Sequence, residues 1–175
     1  QAAVHPEYPQ LRFLTAPVNC PAEQVDADAF RTMLSQARQQ YAYVFLDAPA
    51  GIDAGFQLAA RFADRVLLVT GPDPAAARDA ARAGEILELM GKREIRLIVN
   101  RIHPKMVSAM DLTIDDVMDT AGLPLLGVVL EDSNVTLAAA FGRCIHDYAP
   151  KSDAAKALRR IAKRIQGIPE PIKLR

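Results

Sequence analysis

The sequence predicts an α/β fold, a mostly parallel sheet with helices on both faces, from three observations. Apolar runs at residues 66–70, 95–99 and 125–130 are rich in Val, Leu and Ile without polar alternation, as in strands covered on both sides. Helical periods alternate with them, opened by Asp73, Thr113 or Ser152 and closed by Gly91, Gly122 or Gly167. The run Tyr43-Val44-Phe45-Leu46 enters Asp47 and a Pro- and Gly-bearing turn. A buried strand ending in a carboxylate is where open α/β sheets bind ligands. Strands joined through helices should lie parallel.

Taken in order, residues 11–15 alternate like a short strand and stop at Ala16-Pro17. Asp26 and Asp28 then lead into Phe30, Met33, Leu34 and Ala37, spaced as one helical face with acid at its positive end. The central strand 43–46 follows, and Ile52, Phe56, Ala59 and Ala63 mark a second helical face. After strand 66–70, Asp73 reads as an N-cap with Pro74 in the first helical position. Ala80, Ala83, Leu87 and Met90 form that helix's buried stripe, and Gly91 ends it. Strand 95–99 runs out at Asn100-Arg101, and residues 102–112 read as a loop. Thr113 and Asp116 have the spacing of a capping box, with Asp in place of Glu, for a short helix closed by Gly122. Beyond strand 125–130, Val135, Ala138 and Phe141 suggest one or two helical turns, and a final helix spans about 152–166.

Length and composition bound the rest. The 175 residues suit a single α/β domain, 1–175, with a real core. Lys plus Arg and Asp plus Glu are equal at 21 each, so no global charge drives the chain to nucleic acid, and no direct nucleic-acid contact is predicted. Cys20 and Cys144 lack ligand spacing and read as reduced, structural residues. His5, His103 and His146 show no mutual spacing suited to metal or catalysis. With no long apolar run and no signal-peptide order at its start, the chain is expected to be soluble and cytoplasmic. It begins at Gln1 rather than Met, which suggests an absent N-terminal part.

Asp47 is the sharpest chemical signal. A carboxylate at a strand end can hold Mg²⁺, usually through water, beside a nucleotide's phosphates. Gly51 would let the following backbone approach a phosphate with no Cβ in the way. The plainer reading is that Asp47 caps the next helix or tightens the turn.

Residues 46–56, Leu-Asp-Ala-Pro-Ala-Gly-Ile-Asp-Ala-Gly-Phe, resemble the switch II segment of the MinD/ParA family of P-loop ATPases, which carry a deviant Walker A motif. The likeness is greatest to the MinD branch. It continues in order through residues 63–73, Arg78-Asp79, residues 97–101, Pro104 to Val107, residues 112–117 and residues 124–132. What the resemblance implies is an ATP-dependent dimerisation switch in cell-division site placement. Two subunits would sandwich two nucleotides, with ATP and Mg²⁺ as cofactors and a division-inhibitor-type protein among the partners. Asp47 would be the switch II aspartate that binds Mg²⁺ through water, and Pro49 and Gly51 would move between nucleotide states. Asn100 and Arg101 match the place where the family reads adenine, where an amide offers both a donor and an acceptor. A turn-initiating Asn beside a solvated Arg is the alternative. Glu131 and Asp132 match the second base-contacting loop, although Leu130 stands where the family has proline. Arg78 and Asp79 fall on the helix that binds partners in the MinD branch; a surface ion pair would explain them equally.

The last helix is amphipathic and basic, with Lys156, Arg159, Arg160, Lys163 and Arg164. Such helices bind anionic membranes at the inner face. Its apolar face is half alanine, which argues against direct membrane contact. No GxxxxGK[ST] occurs anywhere in the chain. The expectation is therefore an ATPase whose P-loop unit precedes these residues, the 175-residue chain being inactive by itself. Two other readings remain open: a ParA-type ATPase for partition or for positioning a flagellum or pilus, and a non-catalytic protein-binding module without a P-loop.

Overall fold

The computed structural model describes residues 2–16, 20–103, 105 and 113–172. The chain divides into two units, Gln1–Phe62 and Ala63–Arg175.

The first unit opens with an antiparallel pair, β1 (Ala3–Val4) and β2 (Arg12–Phe13), with Ala3 opposite Phe13. The strand predicted at 11–15 thus shrinks to two residues, and its partner is local rather than parallel. Helix α1 (Ala27–Gln40) starts where Asp26 accepts hydrogen bonds from the Asp28 and Ala29 amides at 2.8 and 3.1 Å. Helix α2 (Ala54–Phe62) begins two residues later than Ile52. Phe30 of α1 meets Phe62 of α2 edge-on, ring centroids 5.5 Å apart.

The central strand expected at 43–46 does not form. Tyr43, Val44 and Phe45 are exposed, Phe45 at 72%, and the segment joins no ladder among the described residues. Apolar character creates a demand for burial, but a strand exists only where another backbone satisfies its N–H and C=O groups.

The second unit is built from β3 (Val66–Thr70), α3 (Pro74–Leu89), β4 (Ile95–Ile102), α4 (Ile114–Ala121), β5 (Leu125–Leu130), α5 (Ser133–Ala140), α6 (Ile145–Tyr148) and α7 (Asp153–Ile165). The predicted loop 102–112 is entered by Ile102, which belongs to β4, and its residues 104 and 106–112 lie outside the described residues. The strands pair β3-β4-β5, all parallel, as helical connections require. The predicted caps are present. Asp73 receives the Ala75 and Ala76 amides, Thr113 and Asp116 form a reciprocal capping box, and Gly122 closes α4 at φ 65°.

Helices cover both faces of this sheet. Side chains alternate along β4, so Ile98 points opposite to Leu97 and Val99. Ile98, Leu126 and Val129 pack with Ala154, Ala157 and Ile161 of α7. On the other side α3 packs against β3 and α4, and Leu87, Leu97 and Val99 are fully buried. The pairing of β4 with β5 shifts after Leu97, which faces Leu125, so that Ile98 faces Gly127 and Leu126 is the extra residue of a bulge. A Cβ on Gly127 would stand 2.5 Å from Ile161 Cγ1, so α7 lies too close to this strand for a side chain there.

Candidate functional site

The candidate residues fall in both units. In the first, Asp47 sits exposed in the unpaired stretch, and its carboxylate makes no hydrogen bond among the described residues. Asp47 therefore does not cap α2. The turn behind it is built tightly. Gly51 adopts φ 97°, a left-handed conformation suited to glycine. Pro49 packs directly onto Gly55, where an added Cβ would meet Pro49 Cγ at 2.6 Å. The Gln57 side-chain amide donates to the Ile52 carbonyl at 3.2 Å. The glycines and Pro49 hold the loop's backbone, and Asp47 is left as a free oxygen donor at its start.

In the second unit, Asn100 and Arg101 lie within β4, near its carboxyl end. Arg101 has φ 58°, the one non-glycine residue with positive φ among those described. Such a conformation costs about 1–2 kcal/mol and concentrates at functional sites. Opposite it, Arg101 Nε donates to Glu131 Oε2 at 2.9 Å, and the Glu131 amide donates to the Ile102 carbonyl at the same distance. The ends of β4 and β5 are thereby tied into one rim carrying Asn100, Arg101, Glu131 and Asp132.

Asp132 has a role the sequence reading missed. Its Oδ1 accepts from the Asn134 amide and side chain at 3.0 and 2.8 Å, and its Oδ2 from the Ala154 amide at 3.3 Å. One carboxylate thus caps α5 and reaches the first turn of α7. Burial alone would push this carboxyl up, but hydrogen bonds from Asn134, Ala154 and Ser152 outweigh it and hold the group below its ordinary value. The local signal was Asp-Ser-Asn ahead of an apolar segment, an N-cap pattern. The reach to Ala154, 22 residues on, is invisible in sequence.

Arg78 and Asp79 are exposed on α3, and neither side chain has a hydrogen bond or ion pair among the described residues. The surface ion pair suggested for them does not form among the described residues. On α7, Ala154, Ala155, Ala157 and Ile161 are buried. The face that would enter a bilayer is already spent on the sheet, and no helix of the described residues is long and apolar enough to cross a membrane. Cys20 and Cys144 are unpaired thiols, and no metal-ligating group of three or more His, Cys, Asp or Glu exists among the described residues.

Comparison with known proteins decides the family. A model of the cellulose biosynthesis protein BcsQ family matches residues 15–165. MinD solved in a MinC:MinD cell division complex from Aquifex aeolicus superposes with a TM-score of 0.88 at 30% identity, covering 98% of this chain and 69% of that one. The chain belongs to the MinD/ParA family. A putative septum site-determining MinD from Nephroselmis olivacea is 39% identical over 132 residues, 75% of this chain and 48% of that protein. The chain thus spans about half the length of that MinD relative. MinD from Pyrococcus horikoshii, solved with Mg-ADP, shares the fold at a TM-score of 0.71 and 24% identity, covering 82% of this chain and 58% of that one. Within the MinD/ParA frame, the parallel sheet with helices on both faces is the expected architecture.

Proposed function

We propose that these residues are the C-terminal portion of a MinD-like ATPase that works as an ATP-dependent dimerisation switch in placing a cell-division site. The observation that carries this reading is the superposition on MinD of the MinC:MinD complex along nearly the whole chain. Asp47 fits a magnesium role, since a hard cation takes exposed carboxylate oxygens and this one is not engaged elsewhere. Mg²⁺, when bound, would neutralise charge developing on the transferred phosphoryl group.

The chain's own residues supply the rest. Pro49 and Gly51 shape a turn able to shift with nucleotide state. Asn100 offers the donor and acceptor that adenine's edge requires. The left-handed Arg101, tied to Glu131, holds that part of the rim in place. Asp132 contributes by fixing the rim loop from behind, since its carboxylate is taken up by backbone amides. Arg78 and Asp79, exposed and unpaired, suit contact with a division-inhibitor-type protein.

No GxxxxGK[ST] lies in this sequence, so the phosphate cradle is not among its residues, and the 175-residue chain is proposed not to turn over ATP by itself. The test is ATP turnover by a longer protein that contains this chain. Asp47→Ala there should lower kcat by about 10²–10³-fold, the range for losing one preorganised electrostatic contact. Unchanged turnover would sink the assignment. A second reading, a role beside cellulose synthesis, has the matching family model in its favour. Pull-down of a MinC-type partner that is lost on Arg78→Glu favours the division reading over it.

A further inference from the structure

The segment after α7 folds back along that helix. Arg164 donates from Nε and Nη2 to the Glu170 carbonyl at 2.9 and 2.7 Å, and from Nη1 to the Leu126 carbonyl at the bulge of β5. Lys163 Nζ pairs with the Glu170 carboxylate. Ile172 lies in the same cleft as Gly127, Ala157, Arg160, Ile161 and Arg164. The backbone of this strap is therefore held by Arg164, while its one acidic side chain is set among cations.

Those cations outnumber it. Arg160, Lys163 and Arg164 all act on Glu170, whose carboxyl is held below its ordinary value by the Lys163 hydrogen bond first; burial opposes this, and the charges of Lys163, Arg160 and Arg164 add to it. Arg160 and Arg164 line the same cleft, and Arg164 is pushed down by burial first and then by the charge of Arg160. The Arg160 guanidinium makes no hydrogen bond among the described residues. Arg160 and Arg164 beside Gly127, with Lys163 on the Glu170 carboxylate, supply the kind of donors that oxyanions recognise, and planar guanidinium suits phosphate in particular.

We propose that Arg160, Lys163 and Arg164 form a phosphate-type anion site that Glu170 occupies as an internal stand-in, so that the C-terminal strap masks it. A phosphate group, whether free or on a lipid headgroup, competes with Glu170 for Lys163 and engages the unused donors of Arg160. Arg164 stays bonded to the Glu170 carbonyl, so the carboxylate can leave without the strap detaching.

The experiment uses the 175-residue chain and the variants Glu170→Gln, Arg160→Gln and the double variant. Glu170→Gln keeps size and backbone and removes only the competing charge. Binding is measured at low salt to pyrophosphate by calorimetry and to phosphatidylglycerol/phosphatidylcholine vesicles by co-sedimentation. Glu170→Gln should tighten binding at least about threefold, an effect erased near 0.5 M salt because exposed charges are screened there. Arg160→Gln should weaken it, and the double variant should lose the gain. Tightening towards vesicles alone identifies a headgroup, and towards pyrophosphate alone a free phosphate; either supports the site. If Glu170→Gln binds both probes as the parent does while its circular dichroism is unchanged, the mask does not exist. If the double variant keeps the gain, the anion is held elsewhere and the proposal is overturned.

Discussion

Residues 43–46 and residues 95–99 are almost equally apolar, yet only the second stretch is a strand. In the second unit β4 has a parallel neighbour on each side and helices over both faces, so Leu97 and Val99 are fully buried. In the first unit the run Tyr43-Val44-Phe45 has no ladder among the described residues and stays exposed. The difference teaches that hydrophobicity specifies a need for burial while the partner backbone supplies the structure. It also separates the candidate chemistry. The rim of Asn100, Arg101, Glu131 and Asp132 is held in place by neighbours, whereas Asp47 is held only by the turn that follows it.

The contrast can be broken most directly by matched truncations in the two stretches. Leu97→Ala removes a side chain with no exposure and should cost about 2–5 kcal/mol in urea unfolding. Phe45→Ala, at 72% exposure, should stay within about 0.5 kcal/mol. Equal losses would mean that the first stretch is buried in solution.

A smaller effect tests the rim. Asp132→Ala removes the cap of α5 and a bond to α7 and should cost about 1–2 kcal/mol. Because the native carboxyl is depressed, its contribution is complete above the unfolded value, about pH 4, and fades as pH falls through the lower native value. Asp132→Asn should flatten that part of the acid-unfolding profile, and an unchanged profile would deny Asp132 its double role.

A further modest effect concerns backbone alone. Gly122 has φ 65° and open space where a Cβ would go, so Gly122→Ala should cost about 1 kcal/mol from conformation without any clash. Asp47→Ala in the 175-residue chain should leave stability unchanged, since the carboxylate has no intramolecular partner among the described residues. Together these variants sharpen the distinction between residues that hold a site and residues that offer chemistry.

By itself, the sequence determined whatever depends on near neighbours. The caps at Asp73 and Thr113, the stop at Gly122, and the three strands of the parallel sheet all follow from short-range pattern. The ordered blocks from Asp47 to Asp132 also announced the family, because a set of spaced motifs in fixed order is far more specific than any one of them. Tertiary structure alone decided the rest. It left residues 43–46 unpaired, used both oxygens of Asp132 for caps, set Arg101 left-handed beside Glu131, and placed Glu170 among three cations. Each of these depends on groups brought together across tens of residues, and a local pattern carries no record of which distant backbone or charge will arrive.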